Sequence, residues 1–445
     1  MRFLNRSKWR NFVILGLIIS LALLLRVGFV HIILIEHGIK EAPVRADAEE
    51  YIKYGYNIAY RGVYSMDFPS PQPKPDSFRS PGFPIFIALA MRLTNGLAFI
   101  PIVLYVQALL GTLTVLVTYL VAKRFMSDFM ALLPALLVAL SPHLVVMAGY
   151  FLTETLSGFL LALALLFFIQ ALEYHRIHVF AVSGLLFGYG YLTNETYLFL
   201  PILLSFLLIL KSIRPPVFDK RIMGSVAMFL FFFSVFPAVW MTRNFIRVQD
   251  TSRTGINRAI QTMSHGAYPG FIYNTPEYKY YPYLEDPLQP RFGSSIHAFK
   301  EILWQRARER PVRYLSWYFF EKPYYFWSWN ILQGEGDVFV YPIKTSLYHE
   351  NRAADMSKTL MHVMHPWILL LFIAGLPALF LRRRHSDWGF VMGQSPVVLF
   401  VVCGYFTLIY TIFAPWPRYS IILRPELYIC AAWSLKAYLR LIERT

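Results

Sequence analysis

The sequence predicts an all-α protein that crosses a membrane many times, and three observations carry that prediction. The 445 residues are 56% hydrophobic and only 15% charged, where a soluble chain is about a quarter charged. The mean hydropathy is +0.45. Apolar runs that approach the roughly 20 residues a helix needs to cross hydrocarbon recur along the chain between short loops. The net charge of +16 is spread over many of those loops and forms no single stripe. That spread argues against a nucleic-acid partner and fits basic loops on one side of a bilayer, with anionic lipid headgroups nearby. Cys403 and Cys430 both lie in apolar runs, so the chain shows no disulfide framework.

Ten spans are expected, at residues 11–35, 99–122, 128–142, 155–172, 178–193, 196–211, 222–241, 365–381, 396–413 and 420–438. The first follows Arg2, Arg6, Lys8 and Arg10. Its apolar run is too long for the core of a signal peptide and no small-residue cleavage site follows, so it reads as an uncleaved span. The basic loops "AKRF", "EYHRIH", "KSIRPPVFDKR" and "LRRRH" and the "LKAYLRLIER" tail fall on the same side as the N-terminus, which makes that side cytoplasmic. Three regions result: a membrane module over residues 1–241 with a first external loop at 36–98, an external segment at 242–364, and a second membrane module at 365–445. The external segment is rich in Tyr and Trp ("YLSWYFFEKPYYFWSWN"), so it is expected to fold against the membrane surface.

The first external loop has structure of its own. Asp47 and Glu50 have the spacing of a capping box. Tyr51, Tyr54, Gly55 and Ile58 then share one helical face, and Gly62 is a natural stop. This predicts an amphipathic helix lying in the interface. An extended Pro-rich passage, "FPSPQPKP", follows. Ile85–Leu93 is too short to span and reads as a second in-plane helix.

With this topology the polar residues near membrane depth collect on the external side: Asp47, Arg79, Glu154 in "LTET", Asn194 and Glu195 in a tight turn, Arg243 and Asn244 at the end of the seventh span, and Arg418, Tyr419 and Arg424 before the last. Charges near a bilayer are costly unless paired, solvated or used. Each residue also has an ordinary reading. Asp47 reads alone as a cap, Glu154 suits the positive end of a helix dipole, Arg243 reads alone as snorkelling to headgroups, and Arg79 as holding an anionic lipid. Asn194-Glu195-Thr196 is a turn that also matches a glycosylation acceptor. His31, His143 and His265 show no metal-ligand spacing. The joint pattern, not any one position, suggests an outward-facing polar cavity.

The order of these motifs resembles the GT-C superfamily of integral-membrane glycosyltransferases, in particular the bacterial branch that includes protein O-mannosyltransferases and the lipid A aminoarabinose transferase. An Asp-Ala-x-x-Tyr helix follows the first span, a basic residue precedes "SPGFP", "LTET" opens the fourth span, a long loop follows "WMTRN", and "RY" precedes the last span. The resemblance implies the GT-C fold and a polyprenyl-phosphate-linked sugar as donor. It places an acceptor lipid, glycan or protein of the envelope on the periplasmic face of the bacterial cytoplasmic membrane. It makes Asp47 the catalytic acid of the first loop and Glu154 the second carboxylate, with Arg79 on the donor phosphate. Two departures stand out: Ala48 follows Asp47 where relatives often have an acidic pair, and Asn194-Glu195 stands where relatives often have an arginine. Glu154 and Glu195 therefore both remain candidates for the second carboxylate.

The chemistry needs a carboxylate to take the acceptor's proton, the role expected of Asp47, and guanidiniums to stabilise the departing phosphate, expected of Arg79, Arg243 and Arg418 in that order. Tyr51, Asn194, Glu195, Tyr419 and Arg424 are further substrate-binding candidates. A divalent metal, Mg or Mn, held by Asp47 and Glu154 is the one cofactor considered. The rival reading is a secondary transporter, which should show two repeated halves and broken helices near the midplane.

Overall fold

The computed structural model describes residues 6–37, 44–174, 176–212, 220–270, 282–332, 335–381 and 396–443. Among them regular structure is helical, with two isolated bridges, Ser77–Thr254 and Gly336–Phe339, and no sheet. Helices α1 (Arg6–His37), α2 (Asp47–Arg61), α3 (Gly82–Leu93), α4 (Phe99–Ala122), α5 (Leu132–Leu140), α6 (Pro142–Val146), α7 (Glu154–Tyr174), α8 (Ile177–Thr193), α9 (Leu200–Ser212) and α10 (Lys220–Arg247) build the first membrane module. In it α4 packs between α1 and α7, α7 packs on α8, and α8 on α10.

Each expected span coincides with a helix or helix pair, but the helices differ in kind. Five are long and apolar enough to cross a membrane. Three others, Ile177–Thr193, Glu195–Leu210 and Val397–Ile412, are apolar but shorter. The last expected span is a helix that carries Arg424, Glu426, Lys436 and Arg440. The third expected span, 128–142, is broken: Leu132–Leu140 and Pro142–Gly149 meet at 57°. Pro142 has no N–H to continue the ladder and drives Ser141 out of the helical region, to ψ 111°. The carbonyls freed at the break are served from α1, where the buried Arg26 donates to Val138 O at 3.0 Å and Ala139 O at 3.3 Å.

Helices α8 and α10 approach closely because α8 carries Gly184 and Gly188 four residues apart. A Cβ at Gly184 would lie 2.4 Å from the Phe229 carbonyl oxygen, and one at Gly188 2.8 Å from that of Phe233. Small residues at this spacing let membrane helices pack backbone to backbone.

Helices α2 and α3 form a platform beside the bundle. The buried face of α2, with Tyr51, Tyr54 and Gly55, rests on α3, where a Cβ at Gly55 would meet Ile87 at 2.7 Å. Gly62 ends α2 in the left-handed region, φ 67°, as expected. The opposite face of α3 exposes Ile85, Leu89 and Leu93 at 42%, 59% and 75%. So α2, expected to lie in the interface, is carried on α3, and α3 presents the apolar stripe. The passage between them is tied down by Asp76, whose carboxylate accepts from Tyr54 Oη at 2.5 Å, Met66 N at 2.8 Å and Phe78 N at 3.2 Å.

The external segment is helical as well. It contains α11 (Gly255–His265), capped by the Thr254 side chain, and α12 (Ile296–Glu309), capped by Ser295. A continuous helical run follows through Pro311–Ser316, a π-turn at Trp317–Glu321 and Lys322–Phe326. A second apolar cluster joins Ile260, Phe292, Phe299, Trp317 and Trp416. Then come α13 (Arg352–Leu381), which begins well before the expected residue 365, α14 (Val397–Ile412) and α15 (Arg424–Ile442). Buried Lys322 donates to Thr411 O at 2.7 Å and Phe413 O at 3.1 Å, at the C-terminal end of α14, where a cation suits the helix dipole. Its charge also lies over the Tyr318 ring at 4.0 Å.

A methyl group at the α8–α10 contact should be destabilising. Gly184→Ala is expected to lower stability by about 1–3 kcal/mol, as overpacking does. Gly16→Ala, where a Cβ meets nothing within 4 Å, should be neutral. Thermal unfolding of the two variants in nanodiscs measures the difference.

Candidate active site

The site forms where three helix beginnings meet. Asp47 is the first residue of α2 and Glu154 the first of α7, and Arg418 lies in a 3-10 turn, Pro417–Leu423, that leads into α15. Ala46, just before Asp47, has φ 46°. A residue with a Cβ held there is strained by about 1–3 kcal/mol, and such strain tends to gather at functional positions.

Asp47 does not cap its helix. Neither it nor Glu50 makes the side-chain bonds of a capping box. The Asp47 carboxylate instead accepts from two guanidiniums, Arg79 Nη2 at 2.7 Å on Oδ1 and Arg418 Nη2 at 2.7 Å on Oδ2. Glu50 is turned to Arg79 Nε at 2.6 Å. Charge-assisted bonds of this kind are about twice as strong as neutral ones, which is why they displace the cap. Arg418 reaches on to Glu154, with Nε 2.9 Å from Oε1. The line Glu50–Arg79–Asp47–Arg418–Glu154 is therefore continuous. Its inner end is screened from water, with the Arg418 side chain 8% and the Glu154 side chain 6% exposed, while Asp47 and Glu50 keep 24% and 28%.

Burial alone would raise the Asp47 carboxyl, but Arg79 and Arg418 outweigh it and hold it well below the usual carboxylate range. Burial likewise works against the Arg79 charge, and Asp47, Tyr51 and Glu50 more than offset it. The Tyr51 hydroxyl is pushed by burial up to about 12, with Arg79 acting in the opposite sense. Arg79 stands over the Tyr51 ring at 5.5 Å and Arg418 over the Tyr419 ring at 5.3 Å.

Glu195 lies to one side and is paired with Arg258 of α11, whose field reaches Arg79, Tyr51 and Tyr419. Three guanidiniums, Arg79, Arg258 and Arg418, thus meet four carboxylates, Asp47, Glu50, Glu154 and Glu195. Of the two candidates for the second carboxylate, Glu154 is the one joined to Asp47 through a shared arginine. Asn194 is occupied in its own turn, its Oδ1 accepting from Thr196 N at 3.1 Å and Oγ1 at 2.7 Å.

Two predicted ligands lie outside this line. Arg243 donates to Asp76 O at 2.6 Å and Tyr64 O at 2.9 Å and stacks over Tyr64 and Trp240. It secures the Pro-rich passage and does not reach Asp47. Arg424, the first residue of α15, is buried against His365. Conversely, Arg258 and Tyr341 were not singled out in the sequence. Tyr341 comes from the external segment and faces Arg418, Asp47 and Glu154. Arg258 had one signal, a charge inside an apolar-faced helix opened by the Thr254 cap. Tyr341, in "DVFVYP", had none.

The metal expected between Asp47 and Glu154 does not fit this arrangement. The space between the two carboxylates holds the Arg418 guanidinium, which a cation shared by them would have to displace. Among the described residues no three His, Cys, Asp or Glu side chains converge. Asp47 is in direct contact with Arg79 and Arg418, and a cavity lined by Arg26, Gly111, Thr114, Thr155 and Pro425 reaches Glu154.

Removing the shared cation should expose its importance. Arg418→Gln is expected to destabilise by about 3–5 kcal/mol, because it leaves buried carboxylates uncompensated. Adding Glu154→Gln to that variant should recover part of the loss in thermal unfolding. Asp47 has its carboxyl lowered on folding, so its stabilisation is complete above the ordinary carboxylate value of about 3.9 and is lost as pH falls below it. Asp47→Asn should therefore lose less stability than the wild type between about pH 5 and 3.

Residues 75–241 match the family described as dolichyl-phosphate-mannose-protein mannosyltransferase. That range includes Arg79, Glu154 and Arg243 but neither Asp47 nor Arg418. A search of curated proteins finds no match. Among solved structures, the oligosaccharyltransferase AglB from Archaeoglobus fulgidus, in complex with an inhibitory peptide and a dolichol-phosphate, aligns with TM-score 0.50 and 13% identity over 98% of this chain and 52% of its own. The same organism's oligosaccharyltransferase in complex with Zn and sulfate aligns with TM-score 0.53 and 13% identity over 97% and 49%. This chain thus spans about half the length of the archaeal proteins it matches. The helical architecture, its match to these structures and the family match within the first membrane module together identify the fold: the chain has the GT-C fold of integral-membrane glycosyltransferases.

Proposed function

We propose that this protein is a membrane glycosyltransferase that moves a sugar from a polyprenyl-phosphate donor to an acceptor lipid, glycan or protein of the cell envelope. In this reading it works on the periplasmic face of the bacterial cytoplasmic membrane. The observation that carries the reading is the fork at Asp47: one carboxylate held by two guanidiniums, the buried Arg418 and the half-buried Arg79, in a GT-C fold, with a second carboxylate on Arg418.

The donor phosphate and the Asp47 carboxylate are rival partners for Arg79 and Arg418. Arginine forks match phosphate oxygens two at a time, so a bound phosphate draws these groups toward itself. Asp47 then loses the contacts that hold its carboxyl low, and its basicity rises toward the range a general base needs. The acceptor oxygen attacks the anomeric carbon as its proton passes to Asp47. The bond from that carbon to the phosphate oxygen breaks with inversion, and the electron pair stays on the polyprenyl phosphate. Arg79 and Arg418, supported by Arg258, stabilise the charge that gathers there. Glu154 keeps Arg418 oriented while its bond to Asp47 lengthens. The exposed stripe of α3 gives the lipid tail an apolar surface beside the site.

The test is turnover of synthetic polyprenyl-phosphate sugars by the protein in nanodiscs. Asp47→Asn should slow transfer by about 10²–10⁴-fold, the usual worth of a general base. Arg79→Gln should cost about 10²–10³-fold through lost charge stabilisation. Full activity in Asp47→Asn, or no turnover of any such donor by the wild type, would remove the proposal.

A further inference from the structure

Away from the ion line, a cluster of buried polar groups has no part in the chemistry above. It surrounds Trp327, Trp329 and the residues that follow in the external segment. His143 of α6 donates from Nε2 to Trp329 O at 2.8 Å, its ring edge-on to the indole at 4.5 Å. His365 of α13 bonds through Nε2 to Trp327 O at 2.7 Å, and its Nδ1 lies 2.9 Å from Arg424 Nη1 of α15. The chemistry of Arg424 fixes the state of His365. A guanidinium only donates, so Nδ1 is the acceptor, Nε2 carries the hydrogen, and the ring is neutral. His362 stacks flat on Trp329 at 4.7 Å. Trp327 Nε1 donates to Thr407 Oγ1 of α14 at 3.0 Å.

The same stretch leads to the site. Trp329 Nε1 donates to Asp337 Oδ1 at 2.8 Å, Ile331 N donates to Asp337 O at 2.7 Å, and Asp337 pairs with Lys358 at 3.0 Å. Four residues on, the Tyr341 carbonyl accepts from Tyr150 Oη at 3.3 Å, and the buried Tyr341 side chain faces Asp47, Glu154 and Arg418 with its hydroxyl beside the Ala48 backbone. Buried groups from both membrane modules thus grip two alternate carbonyls of one segment, and the far end of that segment roofs the ion line.

We propose that His143, His365 and Arg424 are positioning residues: together they clamp the Trp327 and Trp329 carbonyls and so seat Tyr341 over Asp47 and Arg418. This deepens the glycosyltransferase reading and rests on it only for its consequence in binding. The grip itself is independent of any reaction. It also gives Arg424, expected in the sequence to touch substrate, its place: it acts through His365.

The experiment compares wild type with His143→Phe, His365→Phe and His365→Gln in nanodiscs. Phenylalanine keeps the ring and removes the bonds. Glutamine can still donate to a carbonyl and accept from a guanidinium. The first reading is hydrogen exchange. Both phenylalanine variants should speed exchange at residues 327–332 and 335–341 by tenfold or more, with α4 and α7 unchanged, and His365→Gln should match wild type. Unchanged exchange in the phenylalanine variants, equal acceleration throughout the protein, or a glutamine variant that behaves like phenylalanine would each overturn the clamp. The second reading is binding of polyprenyl phosphate. The phenylalanine variants should weaken it about tenfold and the glutamine variant should not. Accelerated local exchange with unaltered binding would overturn the link to Tyr341. Failure of the wild type to bind polyprenyl phosphate would instead count against the glycosyltransferase reading and leave the exchange result to decide the clamp.

Discussion

One buried cation holds the site together. Arg418 sits between Asp47 and Glu154, and each of the three begins a different stretch of helix from a different part of the chain. Without it, two carboxylates would face each other in surroundings with little water to screen them, a cost of several kcal/mol per ion. With it, the start of α2 is joined to the start of α7 and to the turn before α15, and Arg79 adds the Pro-rich passage as a fourth member. The fold brings these helix beginnings together at one end of the bundle, and the ion line is what lets them remain there.

The arrangement is expensive in ways that suggest use. Ala46 is held at a positive φ so that Asp47 can start its helix pointing at two arginines. The capping bond that Asp47 and Glu50 could have made is given up. The desolvation that burial imposes offsets much of the ion pairs' Coulomb attraction, so they are poor devices for stability alone. The same groups are well suited to exchange one anionic partner for another, because a guanidinium that leaves a carboxylate for a phosphate changes its ligand without changing its character.

The helical layout was legible in the sequence because apolar periodicity and basic loops are local signals. The starts of α4, α7, α8 and α14 fall within a residue or two of expectation. The break at Ser141–Pro142 was written in the sequence as a proline, but its compensation by Arg26 depends on packing between distant residues. At the site, Asp47, Arg79, Glu154 and Arg418 were found because charge is conspicuous next to hydrocarbon. What could not be read was partnership. Asp47 and Glu50 carry the spacing of a cap, and only the approach of Arg79 and Arg418 shows why they do not serve as one. Arg243 and Arg418 look alike in sequence, both at span ends with aromatic residues within three positions, yet one finds backbone carbonyls and the other finds carboxylates. Tyr341 reaches the site through a segment whose path is set by buried histidines far from it.

The apolar stripe of α3, Ile85, Leu89 and Leu93, has a mechanical consequence. The helix is pinned to the bundle at its start, where Tyr189 Oη donates to Gly82 O at 3.0 Å and a Cβ at Gly82 would lie 2.6 Å from Thr193 Oγ1, and α2 rides on it with Asp47 at its leading end. Lipid that meets the stripe therefore presses on α8 and on Asp47 together, so the ion line moves with the bundle and not against it.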